Sequence, residues 1–159
     1  MSSIQLHLGL THVPVILTIT ALIMLILGVT RKQSSTVRIA NILLIIAALV
    51  TIPVYFSGEG AEHVAEEISG VSESTIEAHE EIAKFSFLAI IVAGMSALVS
   101  LIFSDRNWSK SVPIITLVIC FVTSGLFIQT AHLGGTVRHT ELTGNNSPVE
   151  IANQIEEDD

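Results

Sequence analysis

"VPVILTITALIMLILGV", residues 13–29, contains no charged residue and no histidine. Coiled into a helix it rises roughly 25 Å, close to the roughly 30 Å hydrocarbon core of a bilayer. Three further blocks of the same kind follow, at residues 39–56, 85–103 and 112–131, and none of them holds Asp, Glu, Lys, Arg or His. Strands of a membrane barrel are shorter and alternate apolar with polar residues, which these blocks do not. The sequence therefore predicts an all-α fold, an integral membrane four-helix bundle. Its spans are expected at about 13–30, 38–57, 82–103 and 112–132, within a bundle covering residues 1–140, with an acidic C-terminal tail at 141–159.

Composition agrees. Half of the 159 residues are hydrophobic and 14% are charged, with a mean hydropathy of +0.68; a soluble domain carries about 25% charged residues. No basic residue precedes the first block, and Arg31 and Lys32 follow it, so it reads as a retained span rather than a cleaved signal. The single cysteine, Cys120, lies inside the fourth block, which excludes a disulfide framework. There it serves as a small residue that lets helices approach. The net charge of −8, without a basic patch or phosphate-binding glycine loop, excludes a nucleic-acid partner.

Charge is distributed unevenly between the two ends. The link after the first span carries Arg31, Lys32 and Arg38, and the link after the third carries Arg106 and Lys110, five of the seven basic residues. Basic residues favour the cytoplasmic side, so both short links are expected inside, and both termini on the outer side of a multi-pass protein of the cell (inner) membrane. The opposite end is acidic. The connection between spans two and three, "SGEGAEHVAEEISGVSESTIEAHEEIAK", holds eight glutamates, and the chain ends in "EEDD". All six histidines belong to this end: His7 and His12 before the first span, His63 and His79 in the connection, His132 and His139 after the fourth.

Depth divides them. His12 and His132 adjoin their apolar runs and are expected at the membrane boundary. His7, His63, His79 and His139 lie five to seven residues farther along, roughly 7–11 Å above if the helices continue. The stretch "SGVSES" has turn composition, with Ser74 and Glu77 spaced as a capping box, and the turn centres near Val71. An antiparallel hairpin about that point sets His63 and His79 at one level. Glu59, His63 and Glu66 or Glu67 share a helical face by their spacing. Gly134-Gly135 is a potential break between His132 and His139, and Pro14 marks a helix start or kink near His12.

Histidines beside hydrocarbon either face water or do something that offsets their burial. Three functions compete with a plain solvated acidic surface. In the first, the bundle holds haem b for electron transfer. His12 and His132 are then its first axial pair and His79 with His139 the reserve, while His7 and His63 complete the candidates and Lys84 and Arg138 reach the propionates. The acidic face would then suit a basic redox partner. In the second, His63, His79, Glu59, Glu62, Glu66 and Glu80 supply a divalent metal such as zinc or iron, since imidazole and carboxylate together suit such ions. No H-E-x-x-H or E-x-x-H pattern supports it: Ala83 and Gly60 stand where those motifs need other residues. In the third, the protein is a structural or assembly subunit. A transporter is disfavoured because no span carries an ionisable residue. No residue pattern assigns a catalytic role, and none fixes the oligomeric state.

The opening "HLGLTHVPVIL", with "YFSGEGAE", "EAHEEIAKFSF" and "HLGGTVRH", resembles a family of small prokaryotic four-span membrane proteins of unknown function. The resemblance covers most of residues 7–139 and implies that His7, His12, His79 and the Gly134-Gly135 pair are family features. It supplies no activity.

Overall fold

A computed structural model describes residues 9–66, 73–104 and 111–143; over 59–66 and 136–143, and at 73 and 75, the helix path is described and the side chains are not. Four helices make up the described chain: α1 (His12–Thr30), α2 (Ser34–Glu66), α3 (Glu73–Ile102) and α4 (Val112–Thr143). Each contains a stretch long and apolar enough to cross a membrane. The chain is an all-α, four-span membrane protein.

α1 packs on α2 and α4, and α3 packs on α2 and α4, so the helices close a ring in which every neighbour runs antiparallel. The turn from α1 to α2 is tight. Gln33 N–H donates to the Gly28 carbonyl at 2.8 Å and Lys32 N–H to that of Val29 at 3.3 Å, a Schellman arrangement with Lys32 at φ 54°. Gly28 is required there: a Cβ would lie 2.7 Å from Val37 Cγ2 and 2.9 Å from Val37 N.

Small residues build the core. Ala21, Ala40, Ala47, Ala93 and Ala97 are fully buried with Leu25, Leu44, Ile90 and Cys120. α2 and α3 approach closely at Gly94, where a Cβ would lie 2.7 Å from that of Ala48. Lipid is as apolar as leucine, so close packing and interhelical hydrogen bonds hold such a bundle together rather than hydrophobic burial. Accordingly, Asn41 donates to Ser100 Oγ at 2.9 Å, Ser96 and Thr116 hydroxyls meet at 2.7 Å, and Ser86 and Thr130 hydroxyls at 2.7 Å. Isoleucines, leucines and phenylalanines such as Ile16, Leu49, Leu88 and Phe121 face outward, as lipid requires.

The helices outrun the apolar blocks at one end. α2 continues past Phe56 to Glu66, α3 begins at Glu73, ahead of Phe85, and α4 runs without a break through Gly134-Gly135 to Thr143. The pair expected as a possible break is thus helical. α3 starts one residue before Ser74, so that serine lies in the first turn. α1 begins at His12 with Pro14 in its first turn, where proline's missing N–H has no helical partner to lose. The turn near Val71, His7 and the tail beyond Thr143 lie outside the described residues.

Candidate functional site at the histidine end

Contacts between neighbouring helices fix their relative heights. Along α2 and α3, Asn41 meets Ser100, Ala48 lies against Gly94, and Tyr55 stacks on Phe87 with ring centroids 4.4 Å apart. Steps of seven on one helix match steps of six or seven on the other, the seam of an antiparallel bundle with a heptad repeat. On α4, Thr116 and Thr130 face Ser96 and Ser86 of α3. Between α1 and α4, Cys120 Sγ lies 3.7 Å from the Thr18 carbonyl oxygen.

His79 is drawn into this framework. It is half-buried on α3, seven residues before the buried Ser86 and in phase with Ala93 and Ser100, both also buried. Its Nδ1 lies 3.1 Å from the Thr130 carbonyl oxygen of α4. A carbonyl oxygen only accepts, so Nδ1 carries the proton and donates, and the lone pair of the neutral ring falls on Nε2. Gly134, one turn above Thr130, gives the ring room: a Cβ there would come within 3.1 Å of His79 Cε1. Thr130 is itself held, its hydroxyl within 2.9 Å of the Leu126 carbonyl and 2.7 Å of Ser86 Oγ. A donor on one ring nitrogen, anchored to backbone, is the arrangement that orients metal-ligating histidines.

His12 and His132 are both exposed on the outside of the bundle. They do not share a depth. The Cys120–Thr18 contact sets residue 12 opposite about residue 126 of α4, so His132 lies roughly 9 Å above His12. Their expected common tier thus separates by more than a helical turn, because α1 starts deeper than α4 ends. His132 continues the exposed phase of Val118 and Gly125, and position 139 follows it by seven residues. Position 63 likewise continues the phase of Ile42, Leu49 and Phe56, all exposed. Its height, extended along the α2–α3 register, is that of His79.

Glu80 and Lys84 form an ion pair at 2.8 Å, with both side chains about half exposed. Lys84, expected beside a propionate, is engaged on its own helix. Among the described residues no three of His, Cys, Asp and Glu come together as a metal cluster. The side chains of Glu59, Glu62, His63, Glu66, Arg138 and His139 lie outside the described ones. What sequence reasoning missed is the seat itself, made by Ser86, Thr130 and Gly134. The signal was present as a stripe of small residues at seven-residue steps from His79.

Fold and site together define a four-span α-helical membrane protein in which, among the described residues, His79 is built into the interhelical seam. Comparison with family models, with curated proteins and with solved structures finds no match to any of them.

Proposed function

We propose that this is a divalent-metal-binding protein of the cell membrane, with His79 as anchoring ligand at the outer end of the bundle. The observation that carries the reading is the His79 Nδ1–H donated to the Thr130 carbonyl. It fixes the tautomer whose Nε2 is basic, and it orients the ring before any ion arrives, which lowers the entropy lost on binding. The many glutamates in the sequence between spans two and three favour a cation, and imidazole with carboxylate suits zinc, iron(II) or manganese. The outer location follows from the basic residues of the two short links.

A haem b between His12 and His132 draws less support. One iron needs both imidazoles at its own level, whereas these two differ by roughly 9 Å in depth and lie outside the core. Below His79, Ser86 is bonded to Thr130 and Tyr55 stacks on Phe87 within the seam.

The test is metal analysis with an absorption spectrum of the detergent-purified protein. Stoichiometric zinc, iron or manganese in the wild type, lost in His79→Ala, is expected. A reduced spectrum with a stoichiometric haem α band would replace this reading by the haem one. A reporter active only outside the cytoplasm should work fused at either terminus, and should fail inserted between Arg31 and Arg38.

A further inference from the structure

We infer that the α1–α2 turn holds the headgroup phosphate of an anionic phospholipid through Arg31, Lys32 and Arg38. This surface lies at the opposite end of the bundle from His79 and is independent of the metal reading.

Height comes first. The apolar block of α1 ends at Val29 and that of α2 begins at Ile39. α1 stops at Thr30 and α2 starts at Ser34, so the connection reaches only about 5–8 Å beyond those two residues, at 1.5 Å per helical residue. Each polar layer of a bilayer is about 5–7 Å deep, half the difference between the hydrocarbon thickness and the full thickness. The whole turn therefore stays at the level of the lipid phosphates. It is also held there. Arg31 N–H donates to the Leu27 carbonyl at 3.0 Å and Gln33 N–H to that of Gly28 at 2.8 Å, and Val37 packs on Gly28 too closely to admit a Cβ. The cations ride on a fixed backbone, so binding a headgroup orders side chains alone.

Their charge is uncompensated. Arg31, Lys32 and Arg38 are all exposed. Arg38 lies one helical turn from Ser34 on the same face of α2, and three residues of chain, at most roughly 10 Å, separate Arg31 from Ser34. The three thus surround one headgroup-sized patch, with the exposed Ser34 and Ser35 between them. No acidic residue stands in the first turn of α2, and the first acid of the chain is Glu59. Among the described side chains the carboxylates are Glu77, Glu80 and Glu81, at the far end of α3. Asp105, Arg106 and Lys110 of the other link lie outside the described residues. Lys84 shows the contrast: its amine meets Glu80 at 2.8 Å, whereas among the described residues no carboxylate meets the three cations of the turn. The guanidinium fork matches phosphate oxygens in pairs, and the lysine adds a point charge.

Full-length protein in phosphatidylcholine–phosphatidylglycerol vesicles, with one or the other lipid brominated, tests the assignment. Ser35→Trp combined with Trp108→Phe moves the chain's single tryptophan to the turn, where bromine quenches it from whichever lipid lies beside it. Brominated lipid in both leaflets makes the result independent of orientation. Quenching by the anionic lipid should exceed its share of the bilayer, and should fall toward that share in roughly 1 M salt, where charges are screened within about 3 Å. Arg31→Gln, Lys32→Gln and Arg38→Gln, added singly, should each lower the preference by up to roughly 5-fold, and together should abolish it. Lys84→Gln, at the other end, should leave it unchanged. Helical content of each variant checks that these exposed replacements keep the fold. Displacement of the lipid by excess inorganic phosphate would make this a site for a soluble anion and overturn the lipid assignment. A preference that survives the triple replacement, or that Arg106→Gln with Lys110→Gln removes while the turn is intact, would overturn it as well.

Discussion

The α2–α3 seam and the α1–α4 seam join helices of the same composition and are fastened very differently. The first combines a backbone approach at Gly94 and Ala48, a buried amide–hydroxyl bond and a stacked aromatic pair. The second is the thinner packing, and it carries a long thiol–carbonyl approach between Cys120 and Thr18. The histidines sort accordingly. His79 stands on the helix shared by the two well-fastened seams and is turned inward, whereas His12 and His132 flank the loose one and remain outside. A ligand histidine needs a rigid support, and α3 lies between two well-packed seams.

The contrast breaks most readily at Gly94. Leucine there would force apart α2 and α3, because a Cβ alone meets Ala48 Cβ at 2.7 Å, a contact no rotamer relieves. We expect a loss of about 3 kcal/mol, at the upper end for overpacked cores, read as a lower midpoint in thermal unfolding in detergent. Leucine at Gly125, which has nothing within 4 Å of an added Cβ, should leave that midpoint nearly unchanged. Equal losses at the two glycines would show that the close approach at Gly94 carries no special packing weight.

The next effect concerns Asn41, fully buried with Oδ1 unpartnered while its amide N–H donates to Ser100. Ser100→Ala removes the acceptor and leaves both ends of the amide unmatched in an apolar core, at a cost of about 2 kcal/mol. Asn41→Leu combined with Ser100→Ala removes the polar pair as a whole and should recover most of that loss. A double variant less stable than Ser100→Ala would mean that the amide has a partner which the apolar replacement also destroys.

These two tests also mark how far the sequence could be read. The spans were legible because charge is absent from four blocks, and lipid tolerates nothing else there. The gathering of histidines at one end was legible for the same reason, since spans of fixed length set which loops share a side. The continuation of α2 and α4 past the boundary followed from helix-favouring composition, although Gly134-Gly135 left it open for α4. Which histidine turns inward was not legible by position along the chain, because lipid-facing and core-facing residues are equally apolar in a membrane bundle. Phase had to be read from small residues instead, and Ser86, Ala93 and Ser100 carry it for His79. The depth of His12 depended on how far α1 slides along α4, which only the contact of Cys120 with Thr18 reveals.

A smaller effect is expected at the His79 seat. Ser86→Ala removes the hydroxyl that bonds Thr130 across the α3–α4 seam. Interhelical hydrogen bonds in membranes average about 0.6 kcal/mol, since the separated helices also find partners, so the unfolding midpoint should move little. Metal affinity should fall by roughly 10-fold, the lower part of the range for a supporting partner, if Thr130 positions the ring as proposed. An unchanged affinity would reduce Ser86 to a helix fastener.

The smallest effect is expected at His132. Its side chain is exposed on the phase of Val118 and Gly125, and residues 130 and 134 turn the opposite side of α4 toward α3. Residues two apart on a helix point about 200° from one another, so His132 cannot share the ring position of His79 without unwinding α4. His132→Ala should therefore change stability by less than about 0.5 kcal/mol, as exposed positions do, and should leave both metal content and the absorption spectrum as in the wild type. This variant carries weight because His132 was the first haem candidate from sequence. Loss of a haem band in His132→Ala, with His79→Ala unaffected, would place the working site on the loose α1–α4 flank and reverse the comparison of the two seams.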